Sequence, residues 1–203
     1  LDMAFRYADF VAEIINKLNE EEIANLLAQE EGGIAEIMLE IALSTQNQGH
    51  FDAAISLLNT SVIDSLSLAE DILAGRHANT TISFFFKPET AYEMTGEQKY
   101  RRAVENFHEI VMDTRSFVTG GDCSIREFWQ GPKTTLESLC ASTQETCATY
   151  NWQRLTEYLF RWTADPKYGD AYERGQINGI LAAQHPETGM FVYFMPMKPG
   201  PRE

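Results

Sequence analysis

The sequence predicts a mainly α protein of antiparallel helical hairpins, with one short β segment near its C-terminus. Three observations carry that reading. Apolar residues recur at three- and four-residue intervals over most of the chain, the period of an amphipathic helix. A unit of helix, Thr, polar turn, aromatic and second helix occurs three times, with Thr-to-aromatic distances of 6, 5 and 5 residues. Strand-type composition is confined to Met190–Met195, with its aromatics and Val192. Helical hairpins bury their apolar faces by stacking side by side. The uneven spacing of the copies suits a toroid with long excursions rather than a regular solenoid.

From Asp2 to Asn19, the residues Phe5, Ala8, Val11, Ile14, Ile15 and Leu18 fall at helical spacing. Asn19 before Glu20, Glu21 and Glu22 marks a helix end and a new capped start. Gly32 and Gly33 break the chain; Ile34, Ile37, Met38, Ile41 and Ala42 resume the period, and a turn over 47–49 leads to a helix with Phe51, Ala54, Ile55 and Leu58. The second copy passes from Tyr92 through Thr95 and Gly96 to Tyr100, then a helix with Val104, Phe107 and Val111. The third passes from Leu155–Trp162 through Thr163 and Pro166 to Tyr168, then a helix with Tyr172, Ile177, Ile180 and Leu181. The row Phe84, Phe85, Phe86 reads as core. Residues 117–138, rich in Gly, Thr, Pro and Ser, read as a long loop of the kind that carries function, and His185–Gly189 as a turn.

A length of 203 residues suffices for one domain with a sizeable core, and 44% hydrophobic with 23% charged residues is ordinary for a globular chain. The net charge of −14, spread along the chain, repels phosphate backbones and anionic lipid. Nucleic acid and membrane are therefore excluded as partners, while a neutral substrate such as a sugar is allowed. No apolar run reaches the length of a membrane span, and the N-terminus lacks a secretion-signal pattern. Cys123, Cys140 and Cys147 are an odd number and too few for a disulfide scaffold, which favours a reducing, cytoplasmic compartment. The sequons at Asn59 and Asn79 are read as chance. The opening on Leu1-Asp2-Met3 and the close on Pro199–Glu203 lead us to expect further chain on both sides.

Glu145 and Cys147 stand two residues apart in front of the amphipathic run from Trp152 to Trp162. A carboxylate and a thiol at that spacing can offer oxygen and sulfur to one cation, and zinc accepts the mixed set. Structural zinc takes four ligands, so the plainer alternative is a buried Cys beside a solvated Glu at a helix start. Glu127 beside Arg126 suits an exposed ion pair as well as an acid; His77 suits a helix cap, and Tyr193 suits aromatic packing.

Five segments, in this order, resemble one family. They are Glu31-Gly32-Gly33 with Glu36; Gly75-Arg76-His77-Ala78-Asn79-Thr80; Gly120-Gly121 with Glu127-Phe128-Trp129; Glu145–Asn151; and Tyr172-Glu173-Arg174 with Tyr193-Phe194. The ordered set resembles the β-L-arabinofuranosidases, zinc- and cysteine-dependent retaining glycoside hydrolases. The resemblance implies that residues 1–203 are part of an (α/α)6-barrel catalytic domain, its N- and C-terminal portions absent. It places the acid/base on Glu127, two zinc ligands on Glu145 and Cys147, and substrate contacts on His77 and Tyr193. In that family a zinc-bound thiolate attacks the anomeric carbon while the acid protonates the leaving oxygen. The interval from Gly121 to Glu127 is one residue longer than the family pattern, Ile34-Ala35 replaces a Met-Asn pair, and Pro88 stands where the family keeps a continuous helix. The nucleophile belongs to a downstream Cys-Cys pair that this sequence does not contain.

The resemblance thus implies a piece of an L-arabinofuranoside-cleaving enzyme, inactive as residues 1–203 alone, with weak or no zinc binding from its two ligands. Self-association through exposed helix faces follows. The alternatives are a non-catalytic carbohydrate-binding or structural α/α-toroid module, or a helical scaffold unrelated to sugars.

Overall fold

A computed structural model describes residues 2–27 and 33–200. The described residues form α1 (Asp2–Ile15), α2 (Glu20–Leu27), α3 (Ile34–Thr45), α4 (Gln48–Ser56), α5 (Thr60–Ser67), α6 (Ala78–Phe84), α7 (Phe86–Thr95), α8 (Gln98–Thr114), α9 (Thr146–Thr163) and α10 (Pro166–Gly175). A π-helical turn (Gln176–Ile180) and a 3-10 turn (Leu181–Ala183) follow α10. The chain divides into two compact units, residues 1–68 with 83–104 and residues 69–82 with 105–203. Among the described residues, no helix is long and apolar enough to cross a membrane.

In the first unit, helix starts are set by side-chain caps. Glu22 N–H donates to Asn19 Oδ1 at 3.0 Å and Asn19 N–H donates to Glu22 Oε2 at 2.9 Å, a reciprocal box that starts α2. Asn47 and Asn59 accept in the same way at the heads of α4 and α5. α1 buries Ala8, Val11, Ala12 and Ile15 and packs on α4, and α3 packs on α4 and α7. Ile14, expected inside, is exposed and continues an outer stripe with Met3, Tyr7 and Phe10. In α3 the inward residues are Ala35, Glu36, Met38, Leu39 and Ala42, while Ile34 and Ile37 face out. That helix is apolar around most of its circumference, so periodicity alone does not choose its buried face. Glu31 and Gly32 lie outside the described residues. Pro88 has no N–H to return to Phe84, and the helix divides there into α6 and α7 with Phe85 at the joint. Phe85 and Phe86 are core as expected, while Phe84 is half-buried with Lys87 Nζ 5.1 Å from its ring centre.

The three repeated joints share one construction. The hydroxyls of Thr45, Thr95 and Thr163 donate to the carbonyls four residues back, Ile41, Ala91 and Leu159, each at 2.7 Å. The next residue, Gln46, Gly96 or Ala164, is left-handed with φ of 54°, 72° and 52°. The following helix starts three residues after each Thr. A left-handed residue after the last turn is the ordinary C-terminal stop of an α-helix.

In the second unit, Phe107 meets Trp129 and Trp152 edge-on, each at 5.8 Å, and Leu155, Leu159 and Tyr168 complete a buried core. His108 stacks on Trp152 at 4.6 Å and 16°. The stretch from α10 through the 3-10 turn differs from expectation. Tyr172, Ile177 and Leu181 face outward, and Ala171, Gly175, Gly179 and Ala183 face in. A Cβ on Gly179 would stand 2.7 Å from Thr149 Cγ2, so glycine at this position permits the close approach to α9. Residues 115–145 are irregular, as expected of the long loop. Residues 190–195 form isolated bridges, Gln184 to Phe191 and Glu145 to Phe194, rather than a strand. Each ladder is stopped on one side, where α9 begins at Thr146 and where the 3-10 turn ends at Ala183.

Candidate functional site

The site is built on a tight hairpin. Ile125 and Phe128 pair both ways, N–H to carbonyl at 2.9 and 3.1 Å, leaving Arg126 and Glu127 at the tip. Both tip residues are left-handed, with φ of 47° and 75°. Two central residues at positive φ are the mark of a type I′ turn, which favours Asn and Gly and charges any other residue for the conformation. The surrounding backbone enforces it. Arg126 N–H donates to the Ser142 carbonyl at 2.9 Å, and the Glu127 carbonyl accepts from Ala78 N–H at 2.7 Å.

The same pairing brings in His77. Gly75 N–H donates to the Trp129 carbonyl at 2.8 Å and Trp129 N–H to the Arg76 carbonyl at 3.0 Å, so residues 75–78 run beside 127–129. His77 Nδ1 accepts from Thr80 N–H at 3.3 Å, which leaves the ring proton on Nε2, 3.3 Å from Glu127 Oε2. Phe128 meets the His77 ring edge-on at 5.2 Å. Tyr193 closes the group from the C-terminal segment, its hydroxyl donating to Glu127 Oε1 at 2.7 Å. That segment is fixed to the head of α9, where Thr146 N–H and Oγ1–H donate to the carbonyls of Tyr193 and Val192. The bond to Glu127, then Glu145, raises the Tyr193 phenol above its ordinary range.

Glu145 is the residue before α9 and Cys147 lies in its first turn. Cys147 Sγ donates to Glu145 Oε1 at 3.6 Å, while Glu145 Oε2 is buried with no hydrogen-bond partner. Burial raises the Glu145 carboxyl, and burial together with Glu145 raises the Cys147 thiol to about 11. An orphaned buried oxygen beside a sulfur suits a cation that takes both donors, and the two supply half of a four-ligand zinc set. Among the described residues, no group of three or more His, Cys, Asp or Glu side chains could hold a metal ion.

All five residues singled out in the sequence lie in the second unit. Glu127 is bonded by His77 and Tyr193, Cys147 by Glu145, and the Tyr193 phenol feels both carboxylates. Glu36 of the same resemblance is buried in the first unit.

Sequence reasoning missed the parts that shape this site. Gly120, at φ 92°, would place a Cβ 2.7 Å from Gly175 N, and a Cβ on Gly121 would overlap the Gln144 side chain. Asp122, the next residue, is buried and raised to about 6, first by that burial. Asn151 Nδ2 donates to Asn79 Oδ1 at 2.8 Å, tying α9 to the helix that follows His77. The glycine pair was the available signal for the close packing; Asn79 and Asn151 both stand in segments that carry the resemblance, but nothing in the sequence pairs them.

Comparison with known proteins gives one family and a set of solved folds. The profile of the β-L-arabinofuranosidase GH127 catalytic domain matches residues 1–203. No curated protein matches. A solved GH127 β-arabinofuranosidase superposes with a TM-score of 0.65 at 23% identity, covering 80% of this chain and 27% of its own. A protein described as a glycoside hydrolase gives 0.77 at 16% identity, covering 96% and 36%. A GH127 β-L-arabinofuranosidase from Geobacillus stearothermophilus T6 gives 0.67 at 18% identity, covering 95% and 34%. This chain therefore spans only 27–36% of these solved structures, and the likenesses establish its fold.

Proposed function

We propose, because this chain belongs to the GH127 β-L-arabinofuranosidase catalytic-domain family, that it is part of a retaining enzyme acting on L-arabinofuranosides. Its helical hairpins would then contribute to an (α/α)6 barrel. The observation that carries the reading is the Glu127 carboxyl, gripped at Oε1 by Tyr193 and at Oε2 by His77.

Glu127 is the acid that gives a proton to the glycosidic oxygen of the leaving group. The carboxylate left behind accepts from Tyr193 Oη–H and His77 Nε2–H, two donors already in place before the proton moves. The type I′ turn fixes the backbone beneath that carboxyl, so its orientation does not depend on a flexible loop. Glu145 and Cys147 would hold zinc. When bound, zinc would keep the Cys147 sulfur deprotonated and add positive charge beside the sugar. Cys123, Cys140 and Cys147 do not match the family's nucleophile, and no cysteine follows Cys147 in the sequence. Residues 1–203 alone are therefore expected to bind a furanoside without hydrolysing it.

Incubating the chain with an aryl β-L-arabinofuranoside, with and without added zinc, tests both halves of the reading. The expected result is binding seen by ligand-detected NMR and no release of the aryl alcohol. Turnover that survives Cys147→Ala would show that the mechanism is wrong for this protein, and absence of any furanoside binding would sink the substrate assignment.

A further inference from the structure

The pairing that joins His77 to Glu127 is held at one end by a side chain bonded to neither. Arg115 directly follows α8, and its side chain is buried, 1% exposed. Its Nη1–H donates to Asp71 Oδ2 at 2.8 Å, and its Nε–H donates to the Gln130 carbonyl at 3.2 Å. Its own carbonyl accepts from Cys123 N–H at 2.8 Å. Asp71 stands ahead of the segment that carries His77. Its Oδ1 accepts from Leu73 N–H at 3.1 Å, and the Leu73 carbonyl accepts from Arg76 N–H at 3.0 Å, so the turn into that segment starts on the Asp71 carboxylate. Cys123 precedes the tight hairpin around Glu127, and Gln130 follows it. The stretches that lead to the site from 71, 123 and 130 therefore all end on Arg115.

We propose that Arg115 is a positioning residue that sets His77 against Glu127, a role that rests on the acid reading of Glu127. The guanidinium is planar and donates in fixed directions, so bonds from Nη1 and Nε to two segments fix their angle as well as their distance. Stability alone does not account for it. A buried ion pair is often no better than apolar side chains of similar volume, and here Arg115 Nη2 is left buried with no hydrogen-bond partner. Apolar contacts are non-directional, however, and would let the two segments slide. The far end of the pairing has no room for sliding. Ala78 N–H meets the Glu127 carbonyl at 2.7 Å, and His77 Nε2 lies 3.3 Å from Glu127 Oε2. A slip of about 1 Å would break the second of these bonds.

The test uses the full 203-residue chain and two variants. Arg115→Lys keeps a charge for Asp71 and loses the planar fork that also reaches the Gln130 carbonyl. Arg115→Met combined with Asp71→Asn removes both charges and keeps an acceptor for Leu73 N–H. The NMR contact between the His77 and Phe128 rings, 5.2 Å apart, reads the register of the two segments, and that between His108 and Trp152, 4.6 Å apart, is the control in the same unit. Both variants should weaken the first contact several-fold and leave the second unchanged. Both should bind methyl β-L-arabinofuranoside about tenfold more weakly, the loss of one hydrogen bond to a charged group. A lysine variant that keeps ring contact and affinity would show that charge alone suffices, and would overturn the role. So would an unchanged ring contact in the charge-free pair. Loss of the whole fold in both variants would make Arg115 a residue of general stability, again overturning it. Each of these results leaves the acid assignment standing. Failure of the parent chain to bind the furanoside would remove that assignment, and the positioning role with it.

Discussion

Arg126 and Glu127 hold a conformation that their side chains disfavour. Left-handed geometry costs a non-glycine residue roughly 1–2 kcal/mol, and a turn of this type would gain by glycine at either position. Arg126 is exposed, so Arg126→Gly should raise stability by about 0.5–1 kcal/mol after the entropy of the freer unfolded chain is subtracted. Thermal melts measure it, and a fall in stability would show that the turn is not strained. Glu127→Gly should gain similarly in the backbone and lose furanoside binding. A position where stability and ligand binding move in opposite directions is the signature expected of a working residue.

Two buried titrating groups in the second unit pull stability in opposite directions with pH. His108, stacked on Trp152 and bonded at Nε2 to Thr156, is lowered to about 3, first by burial and then by Lys167. The unfolded chain takes up that proton near 6.5, so stability falls by about 1.4 kcal/mol per unit as pH drops from 6.5 towards 3. Asp122, raised to about 6, does the reverse. The folded chain binds its proton first, so stability rises as pH drops from about 6 to about 4. The two slopes nearly cancel between 6 and 4, and the His108 loss emerges below that range. His108→Phe keeps a ring on Trp152 and removes the histidine slope. Its urea midpoint should then rise more steeply than the parent's as pH falls from 6 to 4.

At the scale of elements, the three Thr joints behave as interchangeable parts. Gln46→Gly and Ala164→Gly should each stabilise by roughly 0.5–1 kcal/mol, and Gly96→Ala should cost a similar amount, because all three positions are left-handed C-terminal stops. Changes in melting temperature of the same sign at all three would refute the shared construction. The joints were legible in the sequence because everything they need is local: a hydroxyl, a stop and a new start. Other elements were not. The helix after Tyr168 was given the wrong face because large residues carry most of the apolar signal, whereas Ala171, Gly175, Gly179 and Ala183 carry the packing. The expected strand at 190–195 was shortened to bridges by partners that turn helical at once. The turn under Glu127 was illegible, since Arg-Glu has none of the chemistry of a type I′ turn. The site residues themselves were found through their ordered resemblance to a family, not through any one spacing.

At the scale of the whole molecule, apolar side chains remain outside in both units. Met3, Tyr7, Phe10 and Ile14 follow one another along α1, and Tyr172, Ile177 and Leu181 along the stretch from α10 to the 3-10 turn. Exposed apolar stripes favour association, since burying them against another surface removes them from water. The chain should therefore self-associate with rising concentration in analytical ultracentrifugation, and Tyr7→Glu with Phe10→Glu should weaken the association. A monomer that persists at high concentration would contradict it.

The backbone pairing of residues 75–78 with 127–129 also sets how the site can come apart. The amides of Gly75, Ala78 and Trp129 each end on a carbonyl of the opposite segment. None can meet solvent deuterium unless the two segments separate, and separation parts His77 from Glu127 at the same moment. These three amides should therefore exchange with a common opening free energy, as one cooperative unit. A ligand that spans His77 and Glu127 should slow all three by the same factor.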